Sequence, residues 1–260
     1  MRAHYKFSMD YKDLQAGQNK ENFWFKSKNN LIEVLMQKIC LATPDLAKRD
    51  KNEKRLKILN VGAGAGDDLK ILNKFGNVYV VDINQNALLF VDKKLCVEKR
   101  LADACSLPYD NNFFDIVVSF DVFEHIKNDK RAVSEIYRVL KDNGALIFTA
   151  PAFQFLFSSH DKALNHQRRY NKKNIKLLLY KFSNLKIFYW NFLLFIPIAA
   201  IRLFNKKASP KIDNANLYPW LNALFYKLLS VDNFLIKNGI SMPIGLSIAG
   251  FCYKLSKLPL

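Results

Sequence analysis

The sequence predicts an α/β chain built on a parallel sheet, and three observations carry that prediction. Short apolar runs rich in β-branched residues recur through the middle of the chain, at 56–62, 77–82, 113–120 and 144–151. Segments with helical spacing lie between them, and strands that alternate with helices imply right-handed crossovers and a sheet covered on both faces. A glycine-rich turn, GAGAG at 62–66, joins the first run to the helix after it.

The elements follow in order. Residues 1–55 read mainly as a helical extension. FKSKNNLIEVLMQKICL (25–41) places Leu31, Val34, Leu35, Lys38 and Ile39 near helical spacing, and 42–55 is a polar connector. LKILNVG (56–62) is a buried strand, and DDLKILNKF its helix. NVYVVD (77–82) is the second strand, followed by the helical QNALLFVDKKL (85–95). A short third strand ends near Asp103. FFDIVVSF (113–120) is the fourth, DKRAVSEIYRVLK (129–141) a helix, and GALIFTAP (144–151) the fifth strand. Beyond Pro151 the alternation blurs. KKNIKLLLYKF (172–182) reads as helix, while NLKIFYW (184–190) and SIAGFCYKL (247–255) read as strands. An apolar and basic insert, 191–240, separates those two strands.

Composition narrows the function. Half of the 260 residues are hydrophobic and 24% are charged, a folding composition. The net charge of +17 is unevenly placed: residues 153–260 hold 16 basic and 3 acidic side chains, against 24 and 20 before them. The C-terminal part should attract an anion, such as a phosphorylated substrate, an acidic membrane face or nucleic acid, unless it is only a lysine-rich solvated surface. Cys40, Cys96, Cys105 and Cys252 form no CxxC pair and no His-Cys ligand spacing, so no metal is expected. With no apolar run in MRAHYKFSMDYKD, a reduced, cytoplasmic location is the expectation.

The segment ILNVGAGAGDDLKIL (58–72) is the most informative. Glycines at a strand-to-helix turn let the backbone approach a ligand, and free N–H groups face an anion there. A dinucleotide loop wants glycine at 62, 64 and 67. Position 67 is Asp67, which would repel a pyrophosphate. Asp82, alone, reads as a turn or N-cap residue, but twenty positions after Gly62 and together with the glycine loop it lies where a carboxylate can take both hydroxyls of a ribose.

Four motifs in order, ILNVGAGAG, VVDIN, ADACSLPYDNNFFDIVVSFDVFEHI and RVLKDNGALIFTAP, resemble the class I S-adenosylmethionine-dependent methyltransferases, in the group that includes the ubiquinone and menaquinone enzymes. The resemblance covers about 55–152. It implies a Rossmann-like, mostly parallel seven-stranded sheet with helices on both faces, its last two strands an antiparallel hairpin, within a methyltransferase domain of 56–260. It further implies that Gly62, Gly64 and Gly66 line the methionine end of the cofactor, that Asp82 holds the ribose and that Ile83 packs on the adenine. Asp103 would accept from the adenine amino group and Ala104 donate from its backbone, with Phe120 and Asp121 closing over the cofactor. Asn60 is a further cofactor-binding candidate where the family usually has an acid; its amide can orient waters or the cofactor's amino group, but without charge. Glu124 and His125 read as structural residues near the cofactor.

The loop after the fifth strand then runs over the mouth where the methyl points, which gives HDKALNHQRRYN (160–171) a site. His160 and His166 are candidate catalytic groups, because an imidazole is the side chain that can exchange a proton at neutral pH, with Asp161 orienting an imidazole. Arg168 and Arg169 can fork onto a phosphate or carboxylate, and Tyr170 can cap the pocket; these three are candidate acceptor-binding residues. A subset of the family found with envelope-glycan and lipid-linked saccharide enzymes has a similar H-D…H-x-R-R-Y segment. In the insert, IFYWNFLLFIPIAAI (187–201) carries no charge but is too short to span a bilayer. It suits either an interfacial surface beside Arg202, Lys206, Lys207 and Lys211, or a lid and core packing.

The resulting expectation is a methyltransferase acting on a lipid-linked or phosphorylated saccharide, or a similar anionic lipid, at the inner membrane face. An RNA or small-molecule methyltransferase and a non-catalytic cofactor-binding protein are the alternatives. The Leu, Ile and Phe content of the basic half, and FDVF in place of an Asn-Pro-Pro-Tyr type motif, argue against nucleic acid.

Overall fold

A computed structural model describes residues 22–42, 55–204 and 218–255. The helical reading of 1–21, most of the 42–55 connector, and Lys206, Lys207 and Lys211 lie outside the described residues.

The elements are α1 (Phe23–Ala42), β1 (Leu56–Val61), α2 (Leu69–Phe75), β2 (Gly76–Asp82), α3 (Gln85–Phe90), β3 (Glu98–Leu101), β4 (Phe114–Phe120), α4 (Asp129–Val139), β5 (Leu140–Pro151), α5 (Ser159–Ala163), α6 (Lys172–Leu178), β6 (Phe182–Trp190), α7 (Phe195–Phe204), α8 (Pro219–Lys237) and β7 (Ser247–Lys254). One seven-stranded sheet runs in the order β3-β2-β1-β4-β5-β7-β6. The first five strands pair in parallel, and β7 enters antiparallel between β5 and β6. This is the Rossmann-like methyltransferase arrangement that the motifs imply, with the closing hairpin in place.

Alternation along the strands builds two cores. Ile58, Val78, Val80, Ile116, Val118 and Ile147 face one layer, which takes Leu31, Leu35 and Met36 of α1 with Leu229 and Ile236 of α8. Leu59, Val61, Val81, Val117, Leu146 and Phe148 face the other, with Val133 and Ile136 of α4 and Ile175 of α6. The central strand β4 is buried at every position, as a strand covered on both faces must be. Each buried aliphatic side chain contributes about 1.5–3 kcal/mol.

α1 is locked to α8 by polar contacts as well as by packing. Asn233 Nδ2 donates to the Ser27 carbonyl at 2.9 Å, Asn30 Nδ2 to the Tyr226 hydroxyl at 3.0 Å, and the Phe23 N–H to Asn222 Oδ1 at 2.8 Å. The rings of Trp24 and Trp190 lie 5.1 Å apart.

Two helices are shorter than their sequence suggests. α3 ends at Phe90, because Val91 turns extended and Asp92 caps a separate 3₁₀ turn at Lys93–Leu95 through the Lys94 N–H. α6 ends at Leu178, because β6 begins at Phe182. No helix among the described residues is long and apolar enough to cross a membrane.

Candidate active site

The parallel register brings the tips of β1 and β2 level, with Val61 opposite Val81. The chain turns there through three left-handed glycines: Gly62 at φ +71°, Gly64 at +54° and Gly66 at +81°. The Gly62 N–H donates to the Val81 carbonyl and the Gly64 N–H to Asp82 Oδ2, both at 2.8 Å, so the loop folds over the end of β2. A Cβ on Gly62 would stand 2.5 Å from Val122, and one on Gly66 2.6 Å from Leu69. At Gly64 nothing lies within 4 Å, so that position faces open space a ligand can fill. The glycine loop and its acidic neighbour therefore form one cradle, which fits an adenosyl thioether.

Asp82 is nearly buried. Burial pushes its carboxyl above the usual range, against the N–H groups of Asn84 and Gly64 that favour its charged form. Ile83, next in the chain, is an exposed apolar side chain at the strand tip. Asp103 is exposed just beyond β3 and turns the backbone by accepting from the Cys105 N–H at 2.8 Å; Ala104 is half-buried beside it. Phe120 is buried at the end of β4, and Asp121 follows it at φ +56°.

The substitution at Asn60 is answered eight residues later. The buried Asn60 amide donates to both oxygens of Asp68, at 2.9 and 3.0 Å. Burial raises the Asp68 carboxyl to about 6, opposed by Lys28 and by the Asn60 hydrogen bond. The acid missing from the β1 tip thus returns to the same corner from the start of α2. Lys28 Nζ also lies 2.7 Å from Asp121 Oδ2, while Thr149 Oγ1 donates to Asp121 Oδ1 at 2.9 Å. Burial alone would raise Asp121, but Lys28 and Thr149 outweigh it and hold the carboxyl below its usual range. The sequence reading names neither Asp68 nor Lys28. The doubled acid in GAGAGDD, behind a neutral Asn60, is the signal for Asp68. Lys28 has none, because its partner is ninety-three positions away.

On the acceptor side, Tyr170 returns to the end of β5 and forms a parallel bridge with Ala152, closing the loop 153–169. Asp161 is the hub of that loop. It is fully buried and accepts from the Ser158 N–H at 2.9 Å, from Arg169 Nε at 2.7 Å and from Arg169 Nη2 at 3.0 Å. It also pairs with His166 Nδ1 at 2.9 Å. Burial works against the Asp161 charge, yet His166 and Arg169 hold its carboxyl far below the usual range. The His166 ring packs edge-on against His125, with centroids 4.6 Å apart. Burial and His166 lower His125 to about 4. His160 is half-buried in the first turn of α5, and its carbonyl accepts the Leu164 N–H at 3.1 Å.

Three expected acceptor-binding residues sit differently. Arg169 is buried, and its guanidinium is taken by Asp161 and the Ala152 carbonyl, so it clamps the loop instead of presenting a fork to an acceptor. Tyr170 is buried because its bridge with Ala152 turns it inward; its hydroxyl donates to Asp129 Oδ2 at 2.8 Å and lies 3.1 Å from the Phe123 carbonyl. Arg168 is partly exposed, but its two terminal nitrogens donate to Asp129 and to the Lys127 carbonyl at 2.8 Å each. That completes the N-terminus of α4.

Residues 59–148 match the model of the methyltransferase domain family. An uncharacterized protein of Methanocaldococcus jannaschii is 28% identical over 188 residues, which are 72% of this chain and 79% of that one. The ubiquinone/menaquinone biosynthesis C-methyltransferase UbiE of Neisseria meningitidis is 28% identical over 164 residues, and the match spans 56% of this chain and 64% of the relative's length. Among solved structures, an S-adenosylmethionine-dependent methyltransferase of Thermotoga maritima shares the fold at a TM-score of 0.58 and 14% identity, covering 95% of this chain and 97% of that one. The glycine cradle on Asp82, the strand order and these likenesses together support an S-adenosylmethionine-dependent methyltransferase, similar over part of its length to the UbiE enzymes.

Proposed function

We propose that the methyl acceptor is a lipid-linked or phosphorylated saccharide, or a similar anionic lipid, met at the inner face of a membrane. The observation that carries this reading is the apolar surface of α7 and α8. Phe204 is 89% and Trp220 67% exposed, with Ile196, Tyr218 and Phe234 also open to solvent. Single exposed apolar residues need no explanation, but several large ones on α7 and α8 do. Two features tie α7 to the acceptor side of the site. Phe195 packs edge-on against Phe153 at the start of the loop, and Arg202 Nη1 comes within 3.5 Å of Asp161. The basic excess of 153–260 favours an anionic partner over a neutral one.

S-adenosylmethionine, when bound, supplies an electrophilic methyl on a sulfonium. Gly62, Gly64, Gly66 and Asp82 would hold its adenosyl and methionine portions, and Asp68, Asp121 and Lys28 set the charge around them. Bound there, it would give up that methyl to the acceptor with a neutral thioether as the leaving group. The acceptor's proton, where it has one to lose, passes to a neighbouring base or to water. The chain's contribution is chiefly alignment, and Asp161 holds the His166 imidazole in a fixed orientation on the acceptor side.

Incubation of the protein with methyl-labelled cofactor and fractionated cell envelope tests the reading. Label is expected in the lipid fraction, together with co-sedimentation on vesicles containing anionic lipid but not on zwitterionic ones. Label confined to RNA or to water-soluble metabolites would replace it.

A further inference from the structure

We infer that Glu124, His125 and His166 form a binding site for a divalent transition-metal ion, set beside the cofactor cradle on the acceptor side. Each of the three offers a ligand atom, and those atoms lie within 4.8 Å of one another, close enough for a single ion to join them. Two imidazoles and one carboxylate are a donor set suited to manganese, iron, cobalt or zinc, more than to magnesium or calcium.

The surroundings support this reading independently of that spacing. Metal-binding histidines are typically keyed by an oxygen on the ring nitrogen that does not touch the ion. Both histidines here have such a partner: Asp161 Oδ1 lies 2.9 Å from His166 Nδ1, and His125 hydrogen-bonds the Leu164 backbone. With Nδ1 occupied, Nε2 of His166 is the nitrogen left for an ion. Asp161 is itself fixed by Arg169 and the Ser158 N–H, so the imidazole is held on a rigid support. Glu124 is a fully buried carboxylate whose charge is felt by Lys28, and a buried carboxylate gains from a cation beside it. The 3₁₀ turn Phe123–His125 and the returning loop are stitched together beside these ligands, where the Gln167 N–H donates to the Glu124 carbonyl at 2.7 Å. The expectation of no metal came from cysteine spacing. The two histidines are forty-one positions apart, and only closure of the loop brings them together.

The site's place gives the ion a task, and this step rests on the methyltransferase reading above. Glu124 follows Asp121, whose carboxylate flanks the cofactor crevice, by three residues. An ion held there would grip an acceptor through oxygen, either a pair of hydroxyls or a phosphate, and orient that oxygen toward the methyl. The acceptor class it favours is therefore an oxygen-rich one.

Cobalt(II) added to chelator-treated full-length protein tests the site directly. The expected result is one ion per chain at micromolar affinity, with visible absorption bands of nitrogen-ligated cobalt. Glu124→Gln and His166→Ala should each weaken binding about 10–100-fold or more. Thermal melting of the metal-free variants reports whether they fold. If they do not, paramagnetic broadening of the His125 and His166 ring signals in the unaltered protein decides the matter. Cobalt affinity only in the millimolar range, affinity unchanged in both folded variants, or ring signals untouched by cobalt would each overturn the proposal. Calorimetry with S-adenosylmethionine on the same metal-free protein separates the two readings. Cofactor binding without cobalt binding removes only the metal site, whereas failure to bind the cofactor removes the reading on which its task rests.

Discussion

Lys28 Nζ of α1 lies 2.7 Å from Asp121 Oδ2 at the end of β4, so the helix that precedes the sheet in sequence reaches into the cofactor crevice. Burial pulls the Lys28 ammonium down, but Asp121 more than reverses this and the group is raised overall. Replacing it leaves Asp121 without its cation. Lys28→Met is expected to cost roughly 1–3 kcal/mol of stability, the lower part of the range for broken buried pairs because both side chains keep some solvent contact. The pH dependence has a definite sign. The depressed Asp121 carboxyl stabilises the fold above its unfolded value, and that stabilisation is lost as pH falls through the folded value. In Lys28→Met the acid-side loss should begin at higher pH. Denaturant titrations at neutral pH and across the acid range check both points.

Gly62 and Gly64 share the left-handed conformation but not their surroundings, and this separates folding from binding. Alanine at either pays about 1 kcal/mol for that conformation. At Gly62 the new Cβ also meets Val122 at 2.5 Å, a short branched side chain with little room to move. Gly62→Ala should therefore lose a further ~1–3 kcal/mol. At Gly64 the Cβ enters the space left for the ligand. Gly64→Ala should melt close to the unaltered protein yet bind S-adenosylmethionine at least about tenfold more weakly, which corresponds to ~1.4 kcal/mol. Calorimetry beside thermal melting distinguishes the two variants.

The contrast between these residues shows what a single sequence can carry. Gly62, Gly64, Gly66 and Asp82 are legible because their spacing is local: a turn, a helix and the next strand occupy the twenty-one positions from Gly62 to Asp82. The sheet is legible for the same reason, since each strand is an unbroken apolar run. Lys28, Glu124 with His166, and the inward turn of Arg169 and Tyr170 depend instead on closure over long stretches of chain. QRRYN looks like an exposed basic patch until the Ala152–Tyr170 bridge fixes which side chains face inward. Helix ends were misjudged where a local cap, such as Asp92, overrides an apolar pattern that continues past it.

Asp232 of α8 offers a pH test remote from the cofactor. Burial raises its carboxyl to about 6, against the N–H groups of Phe192, Asn191 and Leu193. A raised acid stabilises the fold fully below its unfolded value, and the benefit is lost as pH rises through the folded value. Asp232→Asn keeps an acceptor for the Phe192 N–H, 2.7 Å away, without the buried charge. Relative to the variant, the unaltered protein should lose on the order of 2–3 kcal/mol between about pH 4 and pH 7. Paired denaturant curves at the two pH values measure the difference. A constant gap between the proteins would mean that Asp232 ionises normally.

Arg168 and Arg169 are adjacent and chemically identical, so their unequal placement makes a strong internal control. Arg169 and Asp161 are both buried and share two hydrogen bonds, and removing the guanidinium leaves a carboxylate with much of its compensation gone. Arg169→Ala should cost about 3–5 kcal/mol, the range for one half of a buried pair. Arg168 pairs with Asp129 at a partly open position, and Tyr170 still donates to that carboxylate, so Arg168→Ala should cost no more than about 1 kcal/mol. Because Asp161 also holds His166, loss of Arg169 should loosen the imidazole and lower turnover along with stability, while cofactor affinity at the Gly64–Asp82 cradle changes little. The opposite pattern, an unchanged melting temperature with a raised KM for the acceptor, would mean that Arg169 leaves Asp161 to meet the acceptor and that the loop opens during the catalytic cycle.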